Sequence, residues 1–151
     1  MARLFMLAAL LLLTTAGCAG YHKELDSNPA FSAHHFRYYD LEVDWQAERS
    51  DGAIRLSGTV SNLRSYFLQD LELTARLVNK QGKVFARESY ADFPNYLPPG
   101  KAESFRLEIR IPAGMEAEQV HFSYYYWLAE APPVFRGHGD VPYFGNFVSP
   151  P

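Results

Sequence analysis

Residues 41–60 read LEVDWQAERSDGAIRLSGTV. Leu41, Val43, Trp45 and Ala47 alternate with Glu42, Asp44, Gln46 and Glu48, the period of a strand with one buried face. After Asp51-Gly52 the alternation resumes, with Ile54, Leu56, Gly58 and Val60 set against Arg55, Ser57 and Thr59. Asp-Gly favours a two-residue hairpin turn because both residues tolerate positive φ. If Ser50 faces Ala53, then Val43 faces Val60, Trp45 faces Gly58 and Ala47 faces Leu56 on one side. On the other, Glu48 faces Arg55 and Asp44 faces Thr59. A slip of one residue would mix the faces, so turn, pattern and charge specify one register.

The same period continues beyond this hairpin. Leu71, Leu73, Ala75 and Leu77 alternate with Glu72, Thr74 and Arg76, and Asn79-Lys80-Gln81-Gly82 turns the chain. Residues 83–91 form a weaker strand, placed at an edge because Glu88 breaks its inward set. Pro98-Pro99-Gly100 fits a type II turn. Phe105, Leu107, Ile109 and Ile111 then alternate until Pro112 stops the strand. Residues 119–127 are apolar or aromatic on both faces, which predicts a central strand covered on each side. No segment has the period of an amphipathic helix. The expected fold is all-β: a single antiparallel, immunoglobulin-like β-sandwich of about six to seven strands.

Gly58-Thr59-Val60-Ser61-Asn62, the strand from Leu71 to Asn79, Gly82-Lys83-Val84 and Leu97-Pro98-Pro99-Gly100 before Phe105 resemble the FxLYD-type domain. The resemblance covers roughly residues 38–127 and implies an immunoglobulin-like module of the bacterial envelope. It supplies no catalytic residues.

Composition narrows the function. With 151 residues, the chain has room for one ordinary domain. Its formal net charge of -3 lacks the basic footprint of a nucleic-acid binder. One cysteine excludes an internal disulfide and any multi-cysteine metal cluster. That cysteine has a telling position. Met1-Ala2-Arg3 is followed by an unbroken apolar run, Leu4 to Leu13, and then by Thr14-Thr15-Ala16-Gly17-Cys18. A positive start, a short apolar stretch and small residues before a break describe a secretory signal. Thr15-Ala16-Gly17-Cys18 resembles the lipobox of bacterial lipoproteins, which implies lipidation of Cys18 as the mature N-terminus. Ala19 is not the Asp of an inner-membrane retention signal, so the resemblance implies the outer membrane; of its two faces the periplasmic one is expected over the cell surface.

Four regions are therefore expected: a signal peptide at 1–17, a lipidated tether at 18–35, the sandwich at 36–130, and a tail at 131–151. The tail combines five prolines with Val134, Phe135, Val141, Tyr143, Phe144, Phe147 and Val148. So many large apolar groups need a surface to cover. They either fold back on their own sandwich or dock on another envelope protein. Tyr125, Trp127, Phe135, Tyr143, Phe144 and Phe147 are the candidate partner-binding residues.

Chemistry has less support. His34 and His35 would point to opposite faces of a strand. His138, Asp140 and His121 match no recognisable set of three or four metal ligands. No metal or cofactor is expected. There is no Gly-x-Ser-x-Gly nucleophile elbow, no phosphate-cradling loop and no free thiol once Cys18 is lipidated. The sequence points to a non-enzymatic, membrane-anchored accessory subunit with a protein partner; a small-ligand or metal-binding lipoprotein is the alternative.

Overall fold

The computed structural model describes residues 29–130 and 141–151. The strands are β1 (Ala30–Phe31), β2 (His35–Arg37), β3 (Leu41–Ser50), β4 (Ala53–Asn62), β5 (Phe67–Val78), β6 (Val84–Tyr90), β7 (Tyr96–Leu97), β8 (Ala102–Arg110), β9 (Gln119–Ala129) and β10 (Val141–Ser149). Among the described residues there is no helix. Two sheets face each other. Sheet A runs β1-β10-β9-β5-β6, with β7 also on β5; sheet B runs β2-β3-β4-β8. The fold is an all-β, immunoglobulin-like sandwich, antiparallel apart from the short β1–β10 pair.

The hairpin of β3 and β4 has the register its sequence specifies, from Leu41 opposite Asn62 to Ser50 opposite Ala53. Only Gly52 takes positive φ in its turn; Asp51 does not. Gly58 is needed for a closer reason than the Trp45 indole. A Cβ there would stand 1.9 Å from the Asp44 carbonyl oxygen and 2.7 Å from the Trp45 Cα, so any side chain would push β3 away. At the Pro98–Lys101 turn, Gly100 has φ +68° and the Lys101 amide donates to the Pro98 carbonyl, as a type II turn requires. β6 lies at the edge of sheet A, where its weak pattern placed it.

Residues 131–151 do not form a separate tail throughout. Val141–Ser149 pairs along its whole length with β9, and Ala30–Phe31 adds beside its end. The sandwich therefore extends from Ala30 to Ser149, beyond the expected limits of 36–130. The physical cause is Phe147. Its ring is fully buried, stacked 4.2 Å from Phe36 and 4.7 Å from Phe122, and Trp45 tilts against it at 5.3 Å. This aromatic stack joins the two sheets.

Around it the inner faces bring together Leu41, Val43, Ile54, Leu56 and Val60 from sheet B with Leu73, Ala75, Leu77 and Val120 from sheet A. Fully burying one such side chain contributes about 1.5–3 kcal/mol. Asp40 and Asn62 are buried together with their partners. Asp40 accepts hydrogen bonds from the Tyr126 hydroxyl at 2.6 Å, the Tyr124 hydroxyl at 3.2 Å and the Leu41 amide. Asn62 donates to the carbonyls of Tyr66 and Leu97 and accepts from the Arg64 amide, which pins the β4–β5 connection.

Candidate functional site

Side chains alternate across each strand, so the register fixes which residues share the outer face of sheet A. Four rows cross that face at right angles to the strands. Arg87 on β6 stands opposite Arg76 on β5, which stands opposite His121 on β9. The next row is Ser89, Thr74, Ser123 and Asn146, all small and polar. Then come Glu72, Tyr125 and Phe144, and last Gln69, Trp127 and Pro142. Small residues between two rows of large ones make a trench. It encloses about 300 Å³, and Glu72, Thr74, Arg76, Ser123, Tyr125 and Phe144 are among its lining residues.

The polar lining is held in place. The Thr74 hydroxyl lies 2.7 Å from that of Ser89 and donates to Glu72 at 3.2 Å. Arg76 donates from Nη1 to the Ser123 hydroxyl at 2.7 Å. Burial and the neighbouring Arg87 lower the Arg76 pKa, yet a guanidinium stays charged at any physiological pH. Burial and Arg76 also push the His121 pKa down, leaving its imidazole neutral at pH 7. The aromatic wall is continuous: Tyr125 meets Trp127 edge-on at 5.9 Å and Phe144 at 5.0 Å. Burial, then Asp70, raises the Tyr125 pKa, so its hydroxyl remains a donor.

The candidate partner-binding residues divide by face. Tyr125, Trp127 and Phe144 come together on the outer face of sheet A. Tyr143 turns inward, stacked 5.4 Å from Tyr126 with the Arg64 guanidinium 5.4 Å over its ring. Phe147 is core and has no surface to offer, a correction that follows from alternation along β10. Cys18, Phe135, His138 and Asp140 lie outside the described residues. Arg76, Arg87, Thr74, Ser89 and Ser123 were not among the candidates. Their outward positions were readable, but their alignment depends on pairing between β5 and β9, far apart in sequence.

Histidine chemistry concentrates elsewhere. His34, with φ +66°, precedes β2 and packs edge-on to Trp45 at 6.0 Å. His35, Glu42 and Asp44 offer ligand atoms within 4.8 Å of one another on the outer face of sheet B. The His35 imidazole is hydrogen-bonded to Asp44 at 2.6 Å, and Arg37 donates to Glu42 at 2.8 Å. The cluster's groups are thus already partnered within the protein. At one end of the sandwich, Tyr38, Tyr39 and Tyr66 are exposed, and Arg64 lies 5.2 Å over the Tyr39 ring.

No family model and no curated protein matches the chain. Among solved structures it is similar to the GAE domain of GGA2p from Saccharomyces cerevisiae, with 14% identity, TM-score 0.44, and coverage of 76% of this chain and 94% of that one. It is also similar to the C-terminal domain of wzt, with 7% identity, TM-score 0.42, and coverage of 82% and 81%. A third likeness, to a β-glucuronidase of glycoside hydrolase family 2, has 11% identity and TM-score 0.33. It covers 72% of this chain and 11% of that one.

Proposed function

We propose that this chain is a non-enzymatic, lipid-anchored binding module of the bacterial envelope, and that the trench on the outer face of sheet A is its recognition surface. One observation carries the reading: the aromatic wall of Tyr125, Trp127 and Phe144 stands beside hydroxyl, carboxylate and guanidinium groups fixed by their own hydrogen bonds. Concave sites that combine apolar rings with a few fixed polar groups are the usual form of ligand pockets. Lipid on Cys18 would hold the module at the outer membrane, since each buried acyl methylene is worth about 0.8 kcal/mol. A soluble ligand or a neighbouring envelope component would then meet it in the periplasm.

A protein partner joined by strand addition is the second reading, favoured by one feature of sheet A. β1 pairs with β10 only at Phe147 and Val148, and among the described residues no other strand stands beside that edge. Strand addition uses such an edge, whereas the centre of the trench lies over β5 and β9, each paired on both sides.

Two experiments test the proposal. Cys18→Ala is expected to move the protein out of the membrane fraction or block its processing; unchanged fractionation and migration would remove the anchor. A photoreactive benzophenone residue placed at position 125 is expected to give covalent adducts in intact cells. Position 31 on β1 is exposed beside the same edge and outside the trench, so it serves for strand addition. Adducts from 31 without adducts from 125 would favour the second reading.

A further inference from the structure

We infer that the trench binds an oligosaccharide bearing carboxylate groups, an inference that rests on the trench being the recognition surface. Three features of its walls and floor point there. The floor of Thr74 and Ser123, continued along the same row by Ser89 and Asn146, consists of groups that both donate and accept hydrogen bonds, as sugar hydroxyls do. One wall, Tyr125 and Phe144, presents aromatic rings to the C–H face of a pyranose. The opposite wall places Arg76 directly across from Arg87, and among the described residues neither makes an ion pair. Like charges directly opposite each other on adjacent strands oppose pairing. A carboxylate seated between the two guanidinium groups would relieve that repulsion and accept charge-assisted hydrogen bonds.

Other polymers fit less well. The backbone groups of β5 and β9 are engaged in their own ladders, so an extended peptide finds no main-chain partners in the trench. A nucleic acid would bring a phosphate at every step toward a protein of net charge -3 and toward Glu72 in the trench itself. A sugar acid also carries charge, but each of its rings adds hydroxyls that can pair with the hydroxyl floor, which a phosphodiester does not offer.

Isothermal titration of the full-length chain in detergent micelles tests this directly. The probe is an oligogalacturonate, compared with its methyl ester, which keeps the sugar and removes the charge. Hexaglutamate and oligothymidylate complete the set. The oligogalacturonate is expected to bind and the ester to bind about tenfold more weakly or worse, as loss of a charge-assisted hydrogen bond implies. Arg76→Gln and Tyr125→Ala are each expected to weaken binding by a similar, about tenfold, factor, and Arg106→Gln on sheet B to change nothing. Arg87 is exposed on an edge strand, so Arg87→Gln gives the same test if Arg76→Gln fails to fold. No binding of the oligogalacturonate, equal binding of its ester, tighter binding of hexaglutamate or oligothymidylate, or an equal loss in Arg106→Gln would each overturn the inference. If position 125 still forms adducts in cells while no oligogalacturonate binds, the ligand class is wrong and the recognition surface stands.

Discussion

The two sheets share one core but carry outer faces of different kinds. On sheet B, carboxylates meet imidazole or guanidinium partners in register. His35 lies beside Asp44, Arg37 beside Glu42, and Arg55 stands between Glu48 and Glu108, donating to Glu108 at 2.8 Å. No Phe, Tyr or Trp stands among the outward residues of that sheet. On sheet A, like charges meet in register, Arg76 against Arg87, and an aromatic wall faces them across a floor of hydroxyls. The first face completes itself with its own side chains and with water. The second leaves a like-charge pair, offset only in part by Glu72 beside Arg76, and partly exposed rings. Aromatic content by itself did not distinguish these faces; its distribution does.

The sharpest way to break the contrast is to confuse inside with outside along β10. Phe147→Ala empties the stack that joins the sheets and is expected to cost about 3–5 kcal/mol in denaturant unfolding. Phe144→Ala, on the outer face, should cost much less; equal losses would mean that β10 does not alternate as described. Gly145→Ala is next. A Cβ there would stand 2.1 Å from the Tyr124 ring, and overpacking of this kind costs about 1–3 kcal/mol.

High pH should act through the core. Burial, then Asp40, raises the pKa of Tyr124, and burial with the Asp40 hydrogen bond raises that of Tyr126. An unfolded tyrosine releases its proton near about pH 10 while these two keep theirs, so the unfolded state binds fewer protons above that pH. Stability is therefore expected to hold up to the unfolded tyrosine pKa and to fall as pH rises beyond it. A thermal unfolding midpoint that stays level through that range would contradict the buried Asp40 network.

The smallest effects should differ in sign between the faces. Removing Arg87 relieves a like-charge pair, so Arg87→Gln is expected to stabilise by about 0.2–1 kcal/mol. Arg55→Gln removes the partner of Glu108, whose pKa the Arg55 hydrogen bond lowers, and should destabilise slightly. Both residues are solvent-facing, and salt should shrink both changes. Two changes of the same sign in chemical denaturation would erase the distinction.

The hairpin from Leu41 to Asn62 was legible because its turn, alternation and charges all specify one register. The strand at 141–149 was hidden by Pro142 and Gly145, which break strand patterns. Its inward set is Tyr143, Gly145 and Phe147, with the glycine left blank because the Tyr124 ring occupies that space. The Val148 carbonyl accepts from Ser32 on the β1 side, and alternation puts the Pro142 nitrogen on that same edge, where no ladder bond is lost. The trench was hidden for a different reason. Glu72, Thr74 and Arg76 were readable as outward residues, but a row across β6, β5, β9 and β10 exists only once non-consecutive strands have paired.

The asymmetry of the two outer faces is tested most directly by photocrosslinking in intact cells. The reactive group is placed at position 125 in one strain and at position 106 in another, and adducts are read as mass shifts of the chain. The account predicts adducts from 125 and none from 106. Adducts from 106 alone, or equal adducts from both, would contradict it.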